Sequence, residues 1–210
     1  MTAHPLAVML DAAAGGAFPP ADGLFDVFPP PPGRAGALIG FTGHWVLAAD
    51  IDPAAVAARC PPGDFSVPMS ASNLAWIAEQ LNSRPTTFDA LLVATGTGAG
   101  APSWLHEVDA SDHPRVERAS RYRTDMRLFS TGDAVLVVGR GICGRWEIGY
   151  EVDASARNAG LGRRIVRAAL DAVPAGEHVW AQVAPGNAAS MRSTIGGGFV
   201  PIAAEVLFPK

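Results

Sequence analysis

The pattern of apolar and polar positions is clearest from residue 121 onward. Residues 121–129 mix the two in partial alternation, 134–138 is an unbroken apolar run, and 146–152 returns to a mixed pattern. A strand covered on one face alternates, whereas one covered on both does not. Between these segments lie Ser130-Thr131-Gly132-Asp133 and the glycine-rich 139–144, both turn-forming. Strands joined by such short breaks predict an antiparallel meander. The period then changes. In 160–173, Leu161, Ile165, Ala168, Ala169 and Ala172 share one helical face, with Arg163, Arg164 and Arg167 elsewhere. A strand at 178–183, a short helix at 187–195 stopped by Gly196-Gly197-Gly198, and a last strand at 199–208 complete this half.

The first half is less regular. Eleven of the 18 prolines precede residue 70, and Pro29-Pro30-Pro31-Pro32 makes residues 1–36 read as an extended Ala/Gly/Pro-rich connector. Residues 44–49 predict a strand. Asp52-Pro53 supplies a cap and a first-turn proline for a short helix to about Ala58. Ser70 or Ser72 can cap a second helix through Leu74, Ile77, Ala78 and Leu81. Residues 90–94 form a short buried strand, followed by a glycine-rich loop from Gly96 to Gly100. The segment 101–120 is polar and helical only near its end. The chain has no internal repeat.

Composition narrows the class. Of 210 residues, 49% are hydrophobic and 17% charged, below the usual quarter. No run of 18 apolar residues exists, which excludes a spanning helix. Met1-Thr2-Ala3-His4-Pro5 lacks the basic start of a signal peptide, so a cytoplasmic protein is expected. Cys60 and Cys143 are too few for a disulfide framework or a zinc site. A net charge of −4 argues against nucleic acid as a partner. The charge is uneven: residues 1–118 carry 12 acidic and 5 basic side chains, and 119–210 carry 8 and 11. The second part is the better host for an anionic ligand.

Candidate chemistry concentrates in Val152-Asp153-Ala154-Ser155-Ala156-Arg157-Asn158-Ala159-Gly160-Leu161-Gly162-Arg163, where a strand ends and a helix opens on glycines. The first N–H groups of a helix lack partners, and its dipole is positive there. Without a Cβ at 160 and 162, a phosphate can approach the backbone, with Arg157 and Arg163 nearby. The alternative is a helix start that merely packs tightly.

The spacing Arg157-x-x-Gly160-x-Gly162 resembles the Arg/Gln-x-x-Gly-x-Gly/Ala pattern of the GNAT superfamily of acetyl-CoA-dependent N-acetyltransferases. Asn187-Ala188-Ala189-Ser190-Met191-Arg192 followed by Gly198-Phe199 resembles the family's Asn-led helix and closing Gly-Phe. Glu147-Ile148-Gly149-Tyr150 resembles its fourth strand. The resemblance covers roughly 120–210. It implies acetyl-CoA as co-substrate. The backbone at Val152 would meet the pantetheine arm and acetyl carbonyl, and the amides of Asn158, Ala159, Gly160, Leu161, Gly162 and Arg163 would cradle the pyrophosphate. Arg157 would add charge, and Asn187 and Ser190 would touch the pantetheine or its sulfur end. The family often has a Tyr seven residues after the Asn as the thiol's acid, and here Thr194 stands there. Tyr150 or a water would then substitute, or the chain would be a non-catalytic acyl-CoA-binding module. Glu147 is the candidate base, with Glu151 next. Its alternative is a strand carboxylate paired with Arg140 or Arg145. His44, His106, His113 and His178 show no ligand spacing and read as structural.

A competing pattern is Gly96-Thr97-Gly98-Ala99-Gly100-Ala101 after a strand, a form of the dinucleotide fingerprint that would suit a nucleotide- or methyl-donor-binding enzyme. The segment beyond this loop reads as a polar connector rather than a βαβ unit.

The expectation is an α/β (α+β) protein with a mixed, mainly antiparallel sheet flanked by helices and splayed after Val152. Residues 119–210 form the acetyl-CoA-binding core. Residues 1–118, an extension or a degenerate second copy, complete the sheet and the acceptor pocket. The acceptor is a small-molecule or peptide amine, and the acidic first part favours a cationic one. No membrane partner is expected, and a homodimer is compatible with the reading.

Overall fold

The computed structural model describes residues 3–109 and 112–210. Positions 110 and 111 of the polar 101–120 segment, and Met1 and Thr2 of the N-terminus, lie outside the described residues. The predicted second half forms as an α/β layout: β6 (Thr124–Ser130), β7 (Ala134–Arg140) and β8 (Trp146–Val152), then α5 (Leu161–Asp171), β9 (His178–Val183), α6 (Ala188–Gly196) and β10 (Val200–Pro209). The first half contains β3 (His44–Ala48), α2 (Pro53–Arg59), α3 (Ala71–Gln80), β4 (Asp89–Thr95) and α4 (Pro114–Ser120). The side chains of Asp52 and Ser70 cap α2 and α3.

Four elements depart from the expected connectors: α1 (Pro5–Ala14), β1 (Phe25–Phe28), β2 (Ala35–Phe41) and β5 (His106–Val108). In α1, His4 caps the helix, Pro5 opens it, and Leu6, Leu10 and Ala13 are buried at helical spacing among alanines. Strand β2 is buried at every position because helices cover both of its faces, so no alternation betrays it. The prolines at 29–32 do form the link between β1 and β2.

All ten strands join one mainly antiparallel sheet in the order β1-β3-β2-β10-β4-β9-β8-β7-β6-β5, with parallel pairs only at β1/β3 and β8/β9. The two parts of the chain interlace: β4 lies between β9 and β10, and β10 lies between β2 and β4. Helices α1 and α4 cover one face. There Ile39, Leu91, Val93 and Trp180 pack under α1, and Val137 packs under α4. On the other face Leu38, Val206 and Phe208 pack under α2 and α3, and Leu92, Leu136 and Val138 under α5.

A charged cluster is buried within the α1/α4 face. Arg145 donates from Nε to Glu147 at 2.8 Å and from Nη2 to both Glu205 oxygens at 2.7 and 2.8 Å. Gln182 donates to Glu205 at 3.0 Å, tying β9 to β10. Glu147 and Glu205 are each 1% exposed. Burial pushes the Glu205 carboxyl above its ordinary range despite Arg145, because Glu147 lies close by. Removing one partner from such a cluster strands a desolvated charge. Glu205→Ala is therefore expected to destabilise the fold by about 3–5 kcal/mol, measured by urea denaturation. A loss below about 1 kcal/mol would show that Arg145 finds water or another partner.

Candidate functional site

Strands β8 and β9 pair only at Trp146↔Val179 and Glu147↔Trp180. Beyond that, β8 stays with β7 as far as Val152, and β9 stays with β4 as far as Val183. The sheet therefore parts after Glu147, earlier than the expected parting after Val152. Arg123 fills the base of the opening. Its Nε donates to Glu147 Oε2 at 3.0 Å, and its Nη2 reaches the Ile148 carbonyl at 3.2 Å and Gln182 Oε1 at 3.3 Å. The guanidinium replaces the interstrand bonds that the splay removes. Gly149 makes room for it: a Cβ there would lie 3.2 Å from Arg123 Nη1.

Two cavities meet through this opening. The larger, about 770 Å³, lies between the end of β8 and the N-termini of α5 and α6. The smaller, about 210 Å³, lies under α4. Arg115, Tyr150, Asn187 and Ser190 line both.

The larger cavity gathers Val152, Arg157, Asn158, Gly160, Gly162 and Arg163, together with Asn187 and Ser190. Ala159 and Leu161 do not line it, and the Leu161 side chain packs on the core instead. Gly160 caps α5 in the left-handed region at φ +80° with no side chain over the helix end. The N–H groups of Leu161, Gly162 and Arg163 make no hydrogen bond within the described residues. A Cβ at Gly160 would meet nothing within 4 Å, so that approach is open. Gly162 also lies against α6. A Cβ there would lie 3.0 Å from Ser193 Oγ, so its missing side chain makes room for α6. Arg157 folds back, its Nε donating to the Val152 carbonyl at 3.0 Å, which ties up that acceptor. Asn187 Oδ1 accepts from the Ser190 N–H at 3.1 Å and so caps α6.

Glu147, the expected base, reaches the smaller cavity with both oxygens taken by guanidiniums, those of Arg145 and Arg123. Burial alone would raise its carboxyl, but the two cations outweigh this and hold it below the ordinary value. A carboxylate so held is a weak base. Glu151 faces the larger cavity, 3.3 Å from Arg115. Asp89, at the start of β4 and in register with Glu205, is the other carboxylate of the smaller cavity. Burial pushes its carboxyl up. A hydrogen bond from Thr87 at 3.0 Å and the charge of Arg118 act the other way. The Tyr150 hydroxyl donates to the Ser190 carbonyl at 3.2 Å and lies 3.3 Å from Thr194 Oγ1, which is fully buried. A phenol therefore stands beside the position where the motif would place one.

The wall of the smaller cavity carries Arg115 and Arg118 beside Asp89, with Arg123 and Glu147 neutralising each other. Nothing in the sequence singled out Asp89, Arg115 or Arg118. The only trace was Arg115 and Arg118 at helical spacing. The four named histidines and the five tryptophans line neither cavity.

The competing glycine loop has another job. The N–H groups of Thr97, Gly98 and Gly100 donate to the carbonyls of Leu170, Val173 and Asp171 at the end of α5. A Cβ at Gly98 would lie 2.7 Å from the Ala175 backbone. The loop's donors are spent, and a helix C-terminus repels anions. This overturns the nucleotide reading of Gly96–Ala101. Among the described residues no cluster of His, Cys, Asp and Glu could hold a metal. No helix there is long and apolar enough to cross a membrane.

No family model and no curated protein matches the chain. Solved structures do. A GCN5-related N-acetyltransferase from Kribbella flavida is 17% identical over 65% of this chain and 63% of its own, with a TM-score of 0.38. A GNAT-family acetyltransferase from Colwellia psychrerythraea is 12% identical over 66% and 62%, at 0.37. A GCN5-related N-acetyltransferase from Sphaerobacter thermophilus is 14% identical over 68% and 57%, at 0.40. The chain spans a little under two thirds of the length of these proteins. All three are GNAT acetyltransferases, the family whose motifs the sequence resembles.

The contrast between the two glycines is testable without a ligand. Gly162→Leu forces α6 away from α5 and is expected to lower stability by about 1–3 kcal/mol, read from thermal unfolding. An unchanged melting temperature would mean that the interhelical contact is not tight.

Proposed function

We propose that this chain is an N-acetyltransferase of the GNAT type that transfers the acetyl group of acetyl-CoA to an amine. The observation that carries the reading is the pair of cavities joined through the β8/β9 opening, the larger ending on the unpaired N–H groups of α5. Phosphates of acetyl-CoA suit that helix start, with Arg157, Arg163 and Arg192 around it. A thioester placed at the junction supplies an acyl group activated for attack, and the amine enters from the smaller cavity.

The environments of the junction residues set their roles. Tyr150 is held by the Ser190 carbonyl and Thr194, and its hydroxyl gives a proton to the departing thiolate. Asp89, raised by burial, takes the proton lost by the amine. Glu147 fixes Arg123 and so keeps the opening apart rather than moving protons.

Acetyl-CoA is expected to raise the melting temperature in a concentration-dependent way. Arg163→Ala and Arg192→Ala would shrink that shift more for acetyl-CoA than for acetyl-pantetheine, which lacks the pyrophosphate. Equal shrinkage for both ligands would remove the phosphate assignment.

Tyr150→Phe is expected to lower kcat by about 10²–10⁴-fold with acetyl-CoA binding retained. Asp89→Asn is expected to lower it similarly and to abolish the acidic limb of the pH–rate profile. The carboxyl sets the sign: as pH falls through its raised pKa it gains a proton and stops accepting one. A variant that keeps the parent limb would place the base elsewhere.

A further inference from the structure

The smaller cavity also bears on which amine is accepted. Its volume, about 210 Å³, is below the roughly 300–1,000 Å³ of pockets for drug-sized ligands and is of amino-acid size. Arg115 and Arg118 lie three residues apart on α4, so both guanidiniums leave the same side of the helix. Arg118 is exposed to the cavity and makes no hydrogen bond or ion pair within the described residues, acting on Asp89 only through space. Arg115 has a single ion pair, from Nη2 to Glu151 at 3.3 Å, and its Nε is buried without any partner. The cavity's own carboxylates do not pair with Arg118: Glu147 is held by Arg123 and Arg145, and Asp89 Oδ1 accepts from Thr87.

We infer that the acceptor is a small amine that also carries a carboxylate, of the size and charge pattern of a free α-amino acid. The carboxylate would lie against the guanidiniums of Arg115 and Arg118, and the amine would lie toward Asp89 and the junction at Tyr150. A peptide N-terminus or a lysine side chain brings no carboxylate to that position. This inference rests on the acetyltransferase reading.

The test measures CoA release from acetyl-CoA with L-threonine, L-methionine and L-leucine, each beside its amide and the amine lacking its carboxyl group. For at least one of the three, kcat/KM is expected to exceed that of both partners by tenfold or more. In Arg118→Gln that ratio is expected to fall toward one, mainly through KM, and Arg118→Lys should recover part of it. Amides and amines used as well as the amino acids would overturn the inference while leaving the transferase reading intact. Two further arms separate the failures. Acetyl-CoA binding is measured by thermal shift without any amine, and its absence would sink the transferase reading itself. Calorimetric titration of N-acetyl-L-methionine against N-acetyl-L-methioninamide needs no turnover. Preferred binding of the carboxylate form, lost in Arg118→Gln, supports the inference, and equal or absent binding of the two overturns it.

Discussion

The guanidinium of Arg123 sits where two neighbouring strands stop being neighbours, and the rest of the site depends on it. A sheet that opens in its interior exposes carbonyls and amides that must find other partners. Arg123 supplies donors to the Ile148 carbonyl on one side and to Gln182 on the other. It can do so under 12% side-chain exposure because Glu147 neutralises it, and Glu147 in turn is shared with Arg145 and, through Arg145, with Glu205. A chain of alternating charges thus ties β8, β9 and β10 together at the base of the opening. Such clusters contribute little net stability over an apolar core, but their geometry is restrictive.

The opening turns two surface depressions on different sides of the sheet into one passage. On the α5/α6 side the wall offers backbone donors and arginines, and on the α4 side it offers guanidiniums and a half-buried carboxylate. Tyr150 stands in the doorway, its hydroxyl fixed from α6. Such a passage suits the group transfer proposed above, because two reactants entering from opposite sides would be held with their reactive ends together.

Glycine shows how one residue type serves different physical ends along this chain. Gly160 takes a left-handed backbone angle and leaves the start of α5 uncovered, Gly162 lets two helices close on each other, and Gly149 leaves room for arginines. The glycines at 96–100 let a loop plug the end of α5. A pattern search sees the same letter in all four places.

The sequence by itself determined the second half of the fold and the position of the glycine-led helix start. Those signals are local: strand runs bounded by turn residues, one amphipathic helix, and glycines at a helix entrance. It did not reveal α1 or β2, because an alanine-rich helix and a strand buried on both faces carry no periodic contrast. Nor did it reveal the wall of the smaller cavity. Asp89 is an ordinary acid before a strand until β10 sets it in register with Glu205 and burial raises its carboxyl. Glu147 reads either as a base or as the partner of its near neighbour Arg145 until Arg123 reaches it from just before β6 and takes the second oxygen. The charge of the smaller cavity is likewise not legible from net charge. The acidic first part of the chain supplies two of the arginines that line the smaller cavity, because the charge a ligand meets is set by which side chains converge on it and which are neutralised there. Only the tertiary structure decides that.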